Sequence, residues 1–216
     1  MPETSSSKRG RSSTISRDRI LEASLVEFTK NGYDGATTAS VARRVGVTQP
    51  LIHYHFGSKE ALWRATVELA FGRLTAVLQG IEEDVMRSEP HEAVRIVACR
   101  FVYFNARHPE VARLIISESA ARSPRLEWMV DKHLRPLTRQ LEMMFQAGLD
   151  SGALKQLPIQ SVIFAFLGAV PHFFDAAPLI DLLWGFDPLS PEHVEAHADT
   201  LVEMFTTGIL RTPSAG

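Results

Sequence analysis

The hydrophobic positions of this chain recur at helical spacing along most of its length. A first apolar stripe covers residues 20–28, preceded by Ser16 as a predicted N-cap and followed by Asn31-Gly32 as a predicted stop. A second stripe covers residues 38–45, and a third, short one begins after Thr48. This pattern predicts a group of short helices near the N-terminus.

Longer amphipathic stripes follow and predict longer helices. Their predicted bounds are 59–79, 90–107, 109–121, 124–152, 158–177 and 191–211. Proline opens most of them, at a position where its missing N–H costs no hydrogen bond: Pro90, Pro109, Pro124, Pro158 and Pro191. No run of four or more residues alternates as a strand would, so the predicted fold class is all-α.

Two of the longer helices carry more apolar surface than one chain is expected to cover. Residues 162–170 are apolar on every helix face and are predicted to be buried all round. The last helix, 191–211, has a wide apolar stripe. A second copy of the chain would supply the missing partners.

Composition places the chain among ordinary globular proteins. Of its 216 residues, 45% are hydrophobic and 22% are charged. The single cysteine, Cys99, lies in an apolar run and excludes an internal disulfide; it is interpreted as a small buried hydrophobe, with a redox-sensing thiol as the alternative. The longest apolar stretch, 162–174, is shorter than the roughly 20 residues that span a bilayer. A cytoplasmic protein without a membrane partner is expected.

Charge is divided unevenly along the chain. Residues 1–70 carry ten Lys and Arg against seven Asp and Glu, whereas residues 71–216 carry thirteen against eighteen. The basic end includes a polar segment, 1–14, which is predicted to be a disordered basic tail. It is either a solubilising tail or an arm that contacts DNA phosphates or the minor groove.

A helix-turn-helix is predicted between residues 37 and 55. Ala42 and Gly46 have the spacing at which a small residue lets two helices approach and a glycine makes the turn between them. The following helix presents polar and aromatic side chains and no acid, as a helix that reads the DNA major groove requires.

The string GYDGATTASVARRVGVTQPLIHYHFGSKEAL (residues 32–62) closely resembles the DNA-binding domain of the TetR family of bacterial transcriptional repressors. The resemblance covers residues 20–69. It implies base readout by Gln49, phosphate contacts by Lys59, and contacts of Pro50 and Leu51 with thymine methyl groups. The full predicted DNA-binding set is Thr38, Thr48, Gln49, Pro50, Leu51, His53, Tyr54, His55 and Lys59.

The same resemblance implies an organisation for the whole chain. The expected domains are a tail (1–14), a three-helix DNA-binding domain (15–62) and a larger helical domain for effector binding and dimerisation (63–216). A homodimer formed through the last two helices would read a near-palindromic double-stranded operator. A small-molecule effector bound between the C-terminal helices would tilt the fourth helix, separate the two recognition helices and release the DNA.

The residues expected at the effector site are aromatic groups with a few polar anchors. They are Arg100, Phe101, Phe104, Trp128, Met129, His133, Phe166, His172 and Phe173. A constitutive DNA-binding or architectural factor without a ligand is the alternative, and a packed C-terminal domain without a cavity would favour it.

Catalytic and metal-binding motifs are missing from the sequence. It contains no G-x-S-x-G elbow, P-loop, G-x-G-x-x-G or H-E-x-x-H, so neither an enzyme nor a cofactor is predicted. His193 and His197 have helical i, i+4 spacing, but no acidic or cysteine partner stands at motif spacing, so no metal site is predicted.

Overall fold

The computed structural model describes residues 16–211, apart from the side chain of Glu82. The predicted tail, 1–14, lies outside this range. The described chain divides into two compact units, a first that ends at Thr66 and a second that begins at Val67. It is helical throughout, and the described residues form no strand beyond a single antiparallel bridge between Leu154 and Leu210. The predicted all-α class is confirmed.

Eleven α-helices and one π-helical segment make up the described chain. They are α1 (Arg17–Gly35), α2 (Thr38–Val45), α3 (Gln49–Phe56), α4 (Lys59–Met86), α5 (Pro90–Arg107), α6 (Pro109–Ser119), α7 (Pro124–Met129), the π segment (Val130–Leu134), α8 (Arg135–Asp150), α9 (Ile159–Asp175), α10 (Ala177–Trp184) and α11 (Pro191–Ile209).

The first unit follows the predicted start and stop signals. Ser16 caps α1 by accepting from the N–H of Arg19, and the helix is interrupted at Gly32, whose φ is 67°. Ile20, Leu25 and Phe28 on one face of α1 are buried, as their spacing predicts. The helices of this unit therefore begin and break where the local chemistry indicates.

The second unit departs from prediction at three places. Helix α4 continues seven residues beyond the predicted end at 79, to Met86. The predicted helix 124–152 contains a π-helical turn at Val130–Leu134. Helix α10 was not predicted, because eight residues are too few to show a clear period.

Helix α9 corrects the prediction that residues 162–170 are buried all round. Val170 is fully buried, but the Phe164 side chain is 74% exposed, and Ala165 and Gly168 on the same face are also exposed. Met204 of α11 is 62% exposed. One chain thus leaves part of the apolar surface of α9 and α11 uncovered, which agrees with the expectation that a single copy lacks enough partners.

None of the described helices alone combines the length and apolar character needed to cross a bilayer. Helices α9 and α10 reach that length and apolar character only when taken together, and they are bent by 69° at the break between them.

Candidate DNA interface and ligand pocket

The turn between α2 and α3 has the geometry that its sequence predicts. Gly46 ends α2 with φ 75° and ψ 34°, in the left-handed region, where a Cβ atom would be strained. Its N–H donates to the carbonyl groups of Ala42 and Arg43. At the other end of α2, Thr37 and Ser40 form a capping box, each side chain accepting from the backbone N–H of the other. Both ends of this short helix are fixed.

The inner face of α2 and α3 is anchored by apolar burial and by one acidic group. Val41 and Ile52 are completely buried. Glu27 of α1 is only 6% exposed; it accepts from Asn31 at 2.9 Å and from Arg44 of α2 at 3.1 Å. A hydrogen bond from the Ser40 side chain, together with the Arg44 guanidinium, holds the pKa of the Glu27 carboxyl below its ordinary value.

The outer face of α3 is open to solvent. Gln49, Pro50, His53 and Tyr54 are exposed, and the exposed fraction of Tyr54 reaches 83%. The Thr48 hydroxyl makes no capping hydrogen bond, which leaves it free to bind a phosphate. Of the remaining predicted contacts on this helix, Leu51 and His55 are half-buried. An exposed helix face without acid is what major-groove entry requires.

Gln49 is held by two neighbours within the unit. Its amide Nε2 donates to Thr38 Oγ1 at 3.0 Å, and His53 Nε2 lies 3.4 Å from both of those atoms. His53 Nδ1 lies 3.2 Å from the Gly57 carbonyl oxygen, which can only accept, so Nδ1 carries the proton and Nε2 accepts. Thr38 itself is buried, with 7% exposed. Its hydroxyl therefore orients Gln49 in this structure.

Lys59 lies at the start of α4 and is half-buried. Its ammonium donates to the Asp34 carbonyl oxygen at 3.2 Å and lies 4.6 Å from the centre of the Tyr33 ring. These contacts place a positive charge beside the end of α1. To bind a DNA phosphate, Lys59 must share or exchange them.

The second unit contains a pocket of about 350 Å³. Helices α4, α5, α8, α9 and α11 and the segments after α4 and α8 form its wall, and nearly all the lining side chains are apolar. They include Met86, Val97, Phe101, Leu141, Phe145, Leu154, Phe166 and Phe205, with Ser88 and Ser151 as the two polar side chains. At one point of this wall Gly148 faces Leu154 so closely that a Cβ atom on the glycine would lie 2.5 Å from Leu154 Cδ1.

Two of the nine residues predicted for the effector site, Phe101 and Phe166, line this pocket. Their rings contact each other edge to face, with 5.4 Å between centroids. Phe145 and Phe205 were not predicted. Phe205 belongs to the apolar stripe of the last helix, so periodicity marks it as inward-facing, but not as a pocket residue.

The other seven predicted residues do not line the pocket. His133 stacks on Phe71 of α4 at 4.7 Å between centroids, with Trp128 edge-on and the fully buried Met129 next to it in sequence. The remaining four also have other surroundings: Arg100 pairs with Asp84 at 3.6 Å, Phe104 packs on His108, Phe173 stacks on His197, and His172 is exposed.

The two histidines with helical spacing serve as packing groups. His193 stacks on Phe186 and His197 stacks on Phe173, each pair with 4.1 Å between centroids. Burial lowers the pKa of His197. Across residues 16–211, no group of three or more His, Cys, Asp or Glu side chains is arranged to hold a metal ion.

Comparison with known proteins agrees with this architecture in both units. Residues 20–66 match the bacterial regulatory proteins of the tetR family, and residues 90–205 match the tetracyclin repressor-like C-terminal domain. The transcriptional regulator RutR of Escherichia coli K12 is 26% identical over 178 residues, 82% of each chain. The transcriptional repressor NicS of Pseudomonas putida is 24% identical over 149 residues, 69% of this chain and 68% of its own.

A solved structure shows the same fold. FadR from Bacillus subtilis, crystallised with stearoyl-CoA, superposes with a TM-score of 0.66 at 17% identity and covers 89% of this chain and 99% of its own. The curated relatives RutR and NicS are transcriptional regulators rather than enzymes. The open recognition helix, the helical second unit and the matches over both units together show that the chain belongs to the TetR family of helix-turn-helix transcriptional regulators.

Proposed function

We propose that this chain is a homodimeric repressor that binds a near-palindromic operator and is released from it by a small-molecule effector. DNA binding is assigned to residues 15–62, and effector binding and dimerisation to residues 63–216. The observation that carries the proposal is the combination of an open, acid-free α3 face in the first unit with an apolar pocket in the second. A constitutive factor without a ligand would be expected to pack its second unit without such a cavity.

The proposed DNA contacts divide into two classes. Gln49 reads a base edge, since its amide can pair with adenine N6 and N7, and Pro50, Leu51 and His53 lie beside it on the same helix. Thr48, Tyr54, His55 and Lys59 position the backbone. Thr38 remains among the proposed DNA-binding residues because its hydroxyl accepts a hydrogen bond from Gln49 and so orients the amide. To reach adenine N7, the Gln49 amide must exchange one of its intramolecular hydrogen bonds.

Dimerisation is proposed through α9 and α11. Their exposed faces carry Phe164 and Met204, and a second copy related by two-fold symmetry would cover both. The same symmetry would present two α3 helices to successive major grooves.

Effector action is proposed to pass along α4. This helix begins at Lys59, a predicted phosphate contact, and ends at Met86, which lines the pocket. A ligand that binds better when the end of α4 is displaced shifts the population toward a state in which the two recognition helices no longer match the operator.

The DNA assignment is tested with a duplex selected by the purified protein from a random-sequence library. Gln49→Ala is expected to relax specificity at one base pair and to cost about 1–3 kcal/mol there. Lys59→Ala is expected to weaken binding to all duplexes alike and to reduce the slope of affinity against salt by about one ion. The reverse pair of outcomes, measured by fluorescence anisotropy, would contradict the two roles.

A further inference from the structure

The size of the pocket limits what it can hold. Its volume of about 350 Å³ is near the lower end of the range of roughly 300–1,000 Å³ found for small-molecule sites. At about 30 Å³ for a group the size of a water molecule, this volume accommodates roughly a dozen non-hydrogen atoms. A ligand of that size has one ring with a short tail or one medium-length chain.

The wall of the pocket offers no charge. Among the described residues that line it, none is acidic or basic. Two arginines of the surrounding helix α5 already have acidic partners: Arg100 pairs with Asp84 at 3.6 Å and Arg95 with Glu92 at 2.8 Å. Lys155, next to the lining residue Leu154, donates to the Thr207 and Gly208 carbonyl oxygens at the end of α11. A carboxylate or an ammonium group buried among the apolar lining residues would lack a counter-charge, which is unfavourable.

The two lining serines define the polarity of the site. The Ser88 hydroxyl donates to the Asp84 carbonyl oxygen at 2.7 Å, and the Ser151 hydroxyl donates to the Gly148 carbonyl oxygen at 3.0 Å. A hydroxyl has one hydrogen to donate and two lone pairs, so each serine oxygen can still accept but has no second proton to give. The matching group on a ligand is a donor, such as O–H or N–H.

We infer that the effector is an uncharged, mainly apolar molecule of roughly a dozen non-hydrogen atoms with a single hydroxyl or N–H donor, as in a medium-chain alcohol or an alkylphenol. This inference rests on the proposed effector function and adds the chemical class of the ligand. Four phenylalanine rings, from Phe101, Phe145, Phe166 and Phe205, supply the apolar contacts. The hydroxyl oxygen of Ser88 or of Ser151 accepts from the donor.

Matched probes test the charge and the donor separately. The neutral donors are 1-decanol and 4-pentylphenol. Their carboxylate counterparts, decanoate and 4-pentylbenzoate, test the effect of charge. The ether 1-methoxynonane has as many non-hydrogen atoms as 1-decanol but no donor, and it tests the effect of the hydrogen bond. By calorimetry with the full chain, both neutral donors are expected to bind, each at least about tenfold tighter than its carboxylate. The alcohol is expected to bind about three- to tenfold tighter than the ether.

The serine assignment has its own variant. In the double variant Ser88→Ala and Ser151→Ala, the affinity for 1-decanol is expected to fall about three- to tenfold, to the level of the ether. The affinity for 1-methoxynonane is expected to stay unchanged, so a general disturbance of the fold is separated from the loss of an acceptor. Carboxylates that bind as tightly as the alcohols, or a failure of both neutral donors to bind, overturn the inference.

The location of binding is tested by filling the pocket. Val97→Trp adds a large ring at a lining position and is expected to abolish probe binding. Ile116→Trp, at a position on α6 that is 53% exposed and outside the pocket, is the matched control and should bind normally. If Val97→Trp instead dissociates a dimer, the pocket is covered by a second copy and the inference is wrong.

Operator release is measured in parallel and distinguishes this inference from the proposed function. Probes that bind in the pocket without lowering affinity for the selected duplex would contradict effector control and leave the ligand class standing. Release by a charged compound that Val97→Trp blocks would contradict the ligand class and leave effector control standing.

Discussion

In the first unit, the eight-residue helices α2 and α3 are stabilised by contacts between residues close in sequence. In the second unit, helices of 16 to 19 residues pack against one another through their apolar faces. A capping box, a left-handed glycine and the ion pair between Arg44 and the buried Glu27 hold α2 in place. In the second unit the long helices leave a pocket among themselves and keep Phe164 exposed. The difference separates a recognition helix held by local contacts from a region that retains a cavity and an exposed apolar face.

The largest expected effect comes from the exposed face of the second unit. Phe164→Glu places a charge on the proposed dimer surface and is expected to give monomers. The variant should lose about 100-fold or more in affinity for the selected duplex, because the second recognition helix no longer binds at high effective concentration. Sedimentation and anisotropy measure the two effects. The control, Ile116→Glu at an exposed position of α6, should stay dimeric. If Phe164→Glu also stays dimeric, α9 is not part of the interface.

A large effect on stability is expected in the first unit. Ile52 is completely buried on the inner face of α3, so Ile52→Ala should cost about 2–5 kcal/mol of unfolding free energy. Ile116→Ala, at a 53% exposed position, should change it by less than about 0.5 kcal/mol. Urea denaturation followed by circular dichroism gives both values. Equal values would mean that the inner face of α3 is no better packed than the surface.

A smaller effect separates orientation from contact. Thr38→Val removes the hydroxyl that accepts from Gln49 while keeping the shape of the buried side chain. Discrimination at the base pair read by Gln49 should fall by about 0.5–1.5 kcal/mol, with the slope of affinity against salt unchanged. A shallower salt slope would instead assign Thr38 to a phosphate contact.

The smallest expected effect is on the pH dependence of the free energy of unfolding, to which the two units contribute in different pH ranges. Burial lowers the pKa values of His133 and His197 in the second unit, so the unfolded chain takes up protons first, near the ordinary value of 6.5. Their contribution to stability is complete above that pH and is lost as the pH falls through the folded-state values. The contribution of Glu27 in the first unit persists until the pH falls below 4.5, its ordinary value.

Denaturation curves at a series of pH values check this order. Stability should decline as the pH falls below about 7, and the double variant His133→Phe and His197→Gln should flatten that decline. Glu27→Gln should not change it in this range. A decline of the same slope in the histidine variant would show that neither ring is responsible.

The sequence predicted most of the first unit because its determinants are local. Ser16, Gly46 and the residues of the recognition helix each act within a few positions of their neighbours, so a linear pattern reveals them. Helix starts in the second unit were predicted for the same reason, from Pro90, Pro109 and Pro191. The break caused by the π turn and the short helix α10 carry no such local signal.

The pocket could not be predicted as well, because it forms where five helices distant in sequence meet. Residue type drew attention to Trp128 and His133, which are aromatic and polar, but the aromatic contact with Phe71 takes His133 out of the pocket wall. Phe145 and Phe205 differ from other inward-facing residues only in what packs opposite them. Packing between distant helices determines which apolar residues face a cavity and which fill the core.

The close approach of Gly148 to Leu154 has a consequence for how this regulator can evolve. An alanine at position 148 would place its Cβ atom 2.5 Å from Leu154 Cδ1, so the Leu154 side chain, which also lines the pocket, would have to move. Glycine and alanine codons differ by one nucleotide, so a single point mutation would reshape the pocket wall while leaving the recognition helix untouched. Under the proposed effector control, such a mutation changes the signal that the regulator answers to without changing the genes that it controls.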